Sequence, residues 1–197
     1  MYLALDIHRR TGKGVVVYDL NSQVTAWPEC VLTDLESLTL ALEAKQPLII
    51  YRPDQDNVDD DFKAFADILW PLTNYILVID EAHWLQSPSW AHPCLAKYVR
   101  MADPYGVDLI QVAHAPADLW GRARSLASDW YIFLTTRPAD LDAIELQCGE
   151  EIREQVSQLG LHDYIHWNAD AHTTEIVTDS SSWFVDIKTP RVEVVHA

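Results

Sequence analysis

Apolar residues recur along the chain in two alternating rhythms: short unbroken runs, and stretches spaced at three and four. Val15 to Asp19, Leu48 to Tyr51, Tyr75 to Asp80, Val107 to Ala113 and Trp130 to Leu134 are runs of strand length. The segments between them have helical spacing. Tyr2 to Arg10 predicts a helix stopped by Thr11-Gly12-Lys13-Gly14. Asp34 to Ala44 sets Leu35, Leu38 and Leu42 on one face, with Asp34 as the cap. A helix from about Asp59 to Leu69 brings Phe62, Phe65, Ala66 and Leu69 together. Further helices are expected near Ala91 to Met101, Asp118 to Leu126, Leu141 to Gln147 and Glu150 to Leu159.

Strands separated by helices of this size imply an α/β fold, a mostly parallel sheet with helices on both faces. The tail differs. Tyr164 to Trp167, Thr174 to Thr178, Trp183 to Ile187 and Val192 to Val195 are short and separated by turns, so antiparallel hairpins are expected at one edge. Asp179 to Ser182 is too short for a domain linker. The expected division is therefore a core over residues 1–170, with 171–197 as a β extension of the same domain.

Composition narrows the class. The chain has 197 residues, 49% of them apolar, enough for a real core. Its longest apolar runs stop far short of the roughly 18 to 20 residues a membrane helix needs. Its first residues carry an acid and no basic stretch, unlike a signal peptide. Three widely spaced cysteines (Cys30, Cys94, Cys148) argue against a disulfide framework and for a reducing, cytoplasmic setting. The formal charge of −16 opposes direct contact with nucleic acid, whose affinity comes largely from neutralised phosphates. Asp54, Asp56, Asp59, Asp60 and Asp61 read as a solvated loop and helix start, where acids suit the helix dipole.

The most informative segment is Ile76-Leu77-Val78-Ile79-Asp80-Glu81-Ala82-His83. It places two carboxylates at the carboxyl end of a buried strand, the rim where open α/β sheets bind ligands. Adjacent acids there repel, and their burial is costly without a compensating cation or donors. A bound Mg²⁺ accounts for Asp80, and a water to be polarised accounts for Glu81. This is the Walker B pattern. His114 ends the strand of Val107 to Ala113, within reach of a phosphate or an attacking water. Arg122 and Arg124 follow, in a chain with only 14 lysines and arginines. An arginine offered to a neighbour's phosphate stabilises transition-state charge, while an ion pair with Asp118 or Asp129 is the plainer reading.

Ile76 to His83, then Tyr105 to Leu119, then Arg124 and Trp130 to Phe133, resemble the FtsK/HerA superfamily of P-loop motors, including phage assembly ATPases and the zonula-occludens-toxin-like branch. The match spans about residues 1–170, with His114 where that family usually has Gln. The resemblance implies a RecA-like P-loop NTPase core that hydrolyses ATP with Mg²⁺. It makes Asp80 the metal residue and Glu81, His114 and Arg124 catalytic. It also implies a homo-oligomeric ring, commonly a hexamer, with DNA and other phage or assembly proteins as partners.

One part is missing. A phosphate-binding loop reads Gly-x4-Gly-Lys-[Ser/Thr] between a strand and a helix. Thr11-Gly12-Lys13-Gly14 lacks the earlier glycine and the hydroxyl residue, and a strand follows it, so it reads as a helix-ending turn. Tyr2 to Arg10 resembles the helix that follows such a loop. The expectation is an N-terminally incomplete core, lacking its first strand and loop and leaving a gap in the sheet. The alternative is a degenerate relative that hydrolyses nothing and serves as an interaction subunit, binding through its sheet edge or through tryptophans such as Trp84, Trp90 or Trp120, each of which could equally be core. Asp80-Glu81-Ala82-His83 also spells a superfamily 2 helicase box, but no arginine-rich final motif or second RecA-like domain accompanies it. Zinc ligation by His83, His92 and Cys94, or by His162 and His166, lacks a second paired set. No Gly-x-Ser-x-Gly marks a serine hydrolase.

Overall fold

The structure, a computed structural model, describes residues 2–178. The chain divides into two compact units at Leu126/Ala127.

The first unit is built on five parallel strands in the order β2-β3-β1-β4-β5: β1 (Gly14–Tyr18), β2 (Val31–Leu32), β3 (Leu48–Tyr51), β4 (Tyr75–Ile79) and β5 (Asp108–Gln111). Every residue of β3 and β4 is buried, as is β1 after its first glycine. Such runs are apolar throughout because both sheet faces are covered. Alternate side chains divide between those faces. Val16, Tyr18, Ile49, Tyr51, Leu77 and Ile79 pack into one cluster with Leu38 of α2 (Leu35–Glu43), Phe62, Phe65 and Leu69 of α3 (Val58–Leu69), and Leu95 and Tyr98 of α4 (Pro93–Met101). The helix α1 (Tyr2–Thr11) lies against β1 and β4 and contributes the buried Ala4 and Leu5, outside that cluster. The five strands pair without a break, so the gap expected in the middle of the sheet is not there; the sheet ends at β5, which is half-buried along its whole length.

Local signals explain most boundaries. Asp34 caps α2, its Oδ1 accepting the Ser37 N–H at 2.8 Å. At the end of α1, Gly12 takes φ +74° and donates its N–H to His8 O at 2.7 Å, the left-handed closure that glycine permits. The Thr11–Gly14 turn thus ends a helix, and Lys13 Nζ reaches Asp108 Oδ2 at 2.8 Å, at the start of β5. The acidic run is not all solvated. Asp61 accepts the Tyr18 hydroxyl at 3.2 Å and the Tyr51 hydroxyl at 2.9 Å.

Several expected elements shift. The strand expected over Val107 to Ala113 is only Asp108–Gln111, so His114 lies in the loop beyond it. The helix expected from Asp118 begins at Gly121, because a 3₁₀ turn occupies Pro116–Asp118; α5 is Gly121–Leu126. A short hairpin absent from the sequence reading, β6 (Gln86–Ser87) with β7 (Trp90–Ala91), follows β4 and is too brief for any periodicity.

The second unit begins at Ala127. Three antiparallel strands, β8 (Asp129–Phe133), β9 (Tyr164–Asn168) and β10 (Thr173–Val177), form its sheet. Helices α6 (Pro138–Cys148) and α7 (Glu150–Val156) enclose a small core of Trp130, Ile132, Ile144, Ile152, Val156 and Ile165. The run from Trp130 to Leu134 therefore pairs antiparallel with β9 and not with the parallel sheet. The strands expected at Trp183 to Ile187 and Val192 to Val195, and the Asp179 to Ser182 segment, lie outside the described residues.

Candidate functional site

Neighbouring strands β1 and β4 end in acids on the same rim. Asp19 follows β1 and is fully buried; Asp80 and Glu81 follow β4. The Asp80 N–H donates to Tyr18 O at 3.1 Å, which fixes the two strand ends side by side. Asp19 is neutralised. Its Oδ2 stands 3.0 Å from Arg52 Nε, and its Oδ1 accepts the N–H groups of Gln23 at 3.0 Å and Val24 at 3.4 Å. Among the described residues no side chain pairs with Asp80, and only the Glu81 backbone N–H gives it a hydrogen bond. Burial, then the Asp19 carboxylate, then Glu81 push its carboxyl above the ordinary range. A group in that state is stabilised as a carboxylate by any cation placed beside it.

Glu81 is held in the left-handed region at φ 52°, ψ 45°. For a residue with a Cβ this costs about 1 kcal/mol or more. It turns the side chain inward, where Glu81 is only 3% exposed. Oε1 lies 2.7 Å from His114 Nε2. Oε2 lies 3.2 Å from His83 Nδ1 but outside hydrogen-bonding geometry, so it stays buried without a partner. His114 is itself 78% exposed at its side chain and reaches Glu81 from the loop after β5. The loop is tied to β4 by Val112, whose N–H donates to Ile79 O at 2.9 Å and whose carbonyl accepts the Ala82 N–H at 2.8 Å.

The structure thus gathers Asp80, Glu81 and His114, and adds His83, Asp19 and Arg52, which the sequence reading did not include in the site. His83, three residues beyond Asp80, was visible, but nothing local showed that it would fold back onto Glu81. Arg124 is placed otherwise. It lies on α5, and no hydrogen bond or ion pair among the described residues links it to Glu81 or His114. Its Nε is buried without a partner. Arg122 is exposed on the same helix. Trp84 and Trp90 are 56% and 48% exposed and are not core; Trp120 is half-buried, with the Arg100 guanidinium 5.3 Å from its ring centroid.

The described residues include no cluster of three or more histidine, cysteine or acidic side chains able to enclose a metal ion. Asp80 fits Mg²⁺ of another kind, an ion carried mostly by water and phosphate oxygens with one or two carboxylates. The unpartnered Glu81 Oε2 fits a water molecule as donor. Chemically, the rim can offer a carboxylate to a hydrated cation and a second, oriented carboxylate to a nucleophilic water.

No family model matches the chain, and no curated protein matches it. Solved structures do. The genome packaging NTPase B204 from Sulfolobus turreted icosahedral virus 2, in complex with ATP-γS, superposes with a TM-score of 0.72 at 17% identity, over 87% of this chain and 85% of that chain. The same protein in complex with AMP gives 0.69 over the same shares. The DNA-packaging ATPase B204 from Sulfolobus Turreted Icosahedral Virus gives 0.70 at 16% identity, again over 87% and 85%. At this identity the likeness establishes the fold. It is that of an NTPase core, in agreement with the expected fold class.

Proposed function

We propose that this chain is an ATP-hydrolysing motor subunit of the FtsK/HerA type, acting in genome packaging, DNA translocation or virion assembly. The observation that carries the reading is Glu81: a buried carboxylate in a strained left-handed conformation at the carboxyl rim of a parallel sheet, touching His114, with one oxygen unsatisfied. Strain and a buried carboxylate oxygen without a hydrogen-bond partner are tolerated where function requires them.

In this reading Asp80 would hold hydrated Mg²⁺, which would supply charge neutralisation to the phosphates of ATP. Glu81 accepts a proton from the attacking water through Oε2, while His114 holds Oε1 and fixes the carboxylate plane. His83 limits the angles open to that water. Asp19, satisfied by Arg52, adds negative potential behind Asp80 without competing for the cation. Arg124, or Arg122 beside it, is presented to a neighbouring subunit's nucleotide in a homo-oligomeric ring. The likeness to packaging NTPases supports DNA as the cargo.

A second reading has its own observation. No Gly-x4-Gly-Lys-[Ser/Thr] run occurs in the 197 residues, so nothing in them forms the usual phosphate cradle. An interaction subunit with an NTPase fold and no turnover would need no such loop. Binding and hydrolysis of ATP by the full-length protein, with and without Mg²⁺, separate the two. Mg²⁺-dependent turnover supports the motor; no binding at millimolar ATP supports the interaction subunit.

A further inference from the structure

A buried amide outside the acidic rim joins the three segments that carry the proposed groups. Gln86 is 4% exposed and engaged at both ends of its carboxamide. Nε2 donates to Gln111 Oε1 at 2.7 Å, and Oε1 accepts the Trp120 N–H at 3.1 Å. Each of the three stands close in the chain to a proposed group. Gln86 follows the 3₁₀ turn Ala82–Leu85, whose N-cap is Glu81. Gln111 ends β5, just before Val112 and the loop to His114. Trp120 precedes α5, and its carbonyl accepts the Arg124 N–H at 3.1 Å.

The same hairpin takes a second bond from α5, because the Gly121 N–H donates to Pro88 O at 3.1 Å. A helix leaves its first N–H groups without internal partners. Here Gln86 and Pro88 supply those partners at adjacent residues. A helix of six residues has little stability of its own, so its placement is set by what it is tied to. A methionine would fill the volume of Gln86 equally well. What the amide adds is two fixed directions, and buried polar contacts of this kind define relative position more than they add stability.

We propose that Gln86 is a positioning residue that couples the Glu81–His114 centre to the arginine-bearing helix α5. A shift at the acidic rim moves the hairpin, and the hairpin carries α5 and Arg124 with it. The proposal rests on the motor reading for the roles of Glu81 and Arg124, but its geometry stands without that reading.

Gln86→Met in the full-length protein keeps the volume and removes both bonds. ATP turnover is expected to fall about tenfold in kcat with KM for ATP unchanged, and Arg124→Ala should cost far less in that background than in the parent. Losses that simply multiply, or an unchanged kcat, overturn the coupling. Amide hydrogen exchange at residues 120–124 gives an arm that needs no turnover. Glu81→Gln should alter that exchange in the parent and not in Gln86→Met. An equal response in both backgrounds, or none in either, overturns it. If the unaltered protein hydrolyses nothing, the motor reading fails and the exchange arm alone decides the coupling. Should Gln86→Met not fold, Gln111→Met removes only the branch to β5 and should shift both readouts in the same direction by less.

Discussion

Glu81 Oε1 and His114 Nε2 lie 2.7 Å apart, although one residue is 3% exposed and the other projects 78% into solvent. A contact between a strained buried acid and an exposed imidazole stabilises the fold little. It does fix the plane of the carboxylate, which is what a water-activating group requires.

Glu81 occupies its left-handed conformation at a cost, and asparagine tolerates that conformation better than other residues with a Cβ. Glu81→Asn also removes a buried charge with an unsatisfied oxygen. The variant should be more stable than the parent by about 1 kcal/mol in urea unfolding, while losing turnover. A less stable variant would mean that the contacts to His83 and His114 outweigh the strain.

Asp80 gives a pH prediction with a definite sign. Burial and the neighbouring carboxylates raise its folded-state carboxyl above the unfolded value. Stability therefore falls as pH rises from the unfolded value through the folded one, and stays lower above it. Asp80→Asn removes the penalty. Its melting temperature should exceed the parent's at neutral pH, and the advantage should vanish below about pH 4.

The Asp19–Arg52 pair should matter in the opposite sense. Asp19 is fully buried, and Arg52 is its charge partner at 3.0 Å. Arg52→Ala strands a buried carboxylate and also removes the Nη2 bond to Val24 O at 2.9 Å. A loss of about 3 kcal/mol is expected in denaturant unfolding.

Two tyrosine hydroxyls converge on Asp61. Asp61→Ala should destabilise by about 2 kcal/mol because both donors lose their acceptor. Adding Tyr18→Phe and Tyr51→Phe should recover most of that loss, since the one donor then left without Asp61 is the exposed Asp54 N–H, which water can satisfy. Additive losses across the three changes would contradict the geometry.

Much of the first unit was legible because its signals are local or periodic. Leu48–Tyr51 matches the observed strand, and the four apolar residues expected on α3 are all buried. The Thr11–Gly14 turn was readable because only glycine closes a helix so readily. Asp80 and Glu81 were legible as a strand-end pair, since four apolar residues before two acids leave few alternatives. What escaped was long-range. His83 and Arg52 acquire their roles through contacts that no spacing predicts, and the hairpin at Gln86–Ala91 is shorter than any hydrophobic period. The run from Trp130 to Leu134 looked like one more parallel strand. Its composition suits either sheet, and only its pairing with Tyr164–Asn168 decides. Likewise, Asp61 sits in an acidic run that composition assigns to solvent, and its partners come from β1 and β3.

The most direct test of the account is ATP turnover by the full-length protein carrying Glu81→Gln, measured beside nucleotide binding. Mg²⁺-dependent hydrolysis is expected in the parent, with a fall of at least about 100-fold in the variant and binding kept within a few-fold. Equal turnover in parent and variant, or no turnover in the parent, would contradict it.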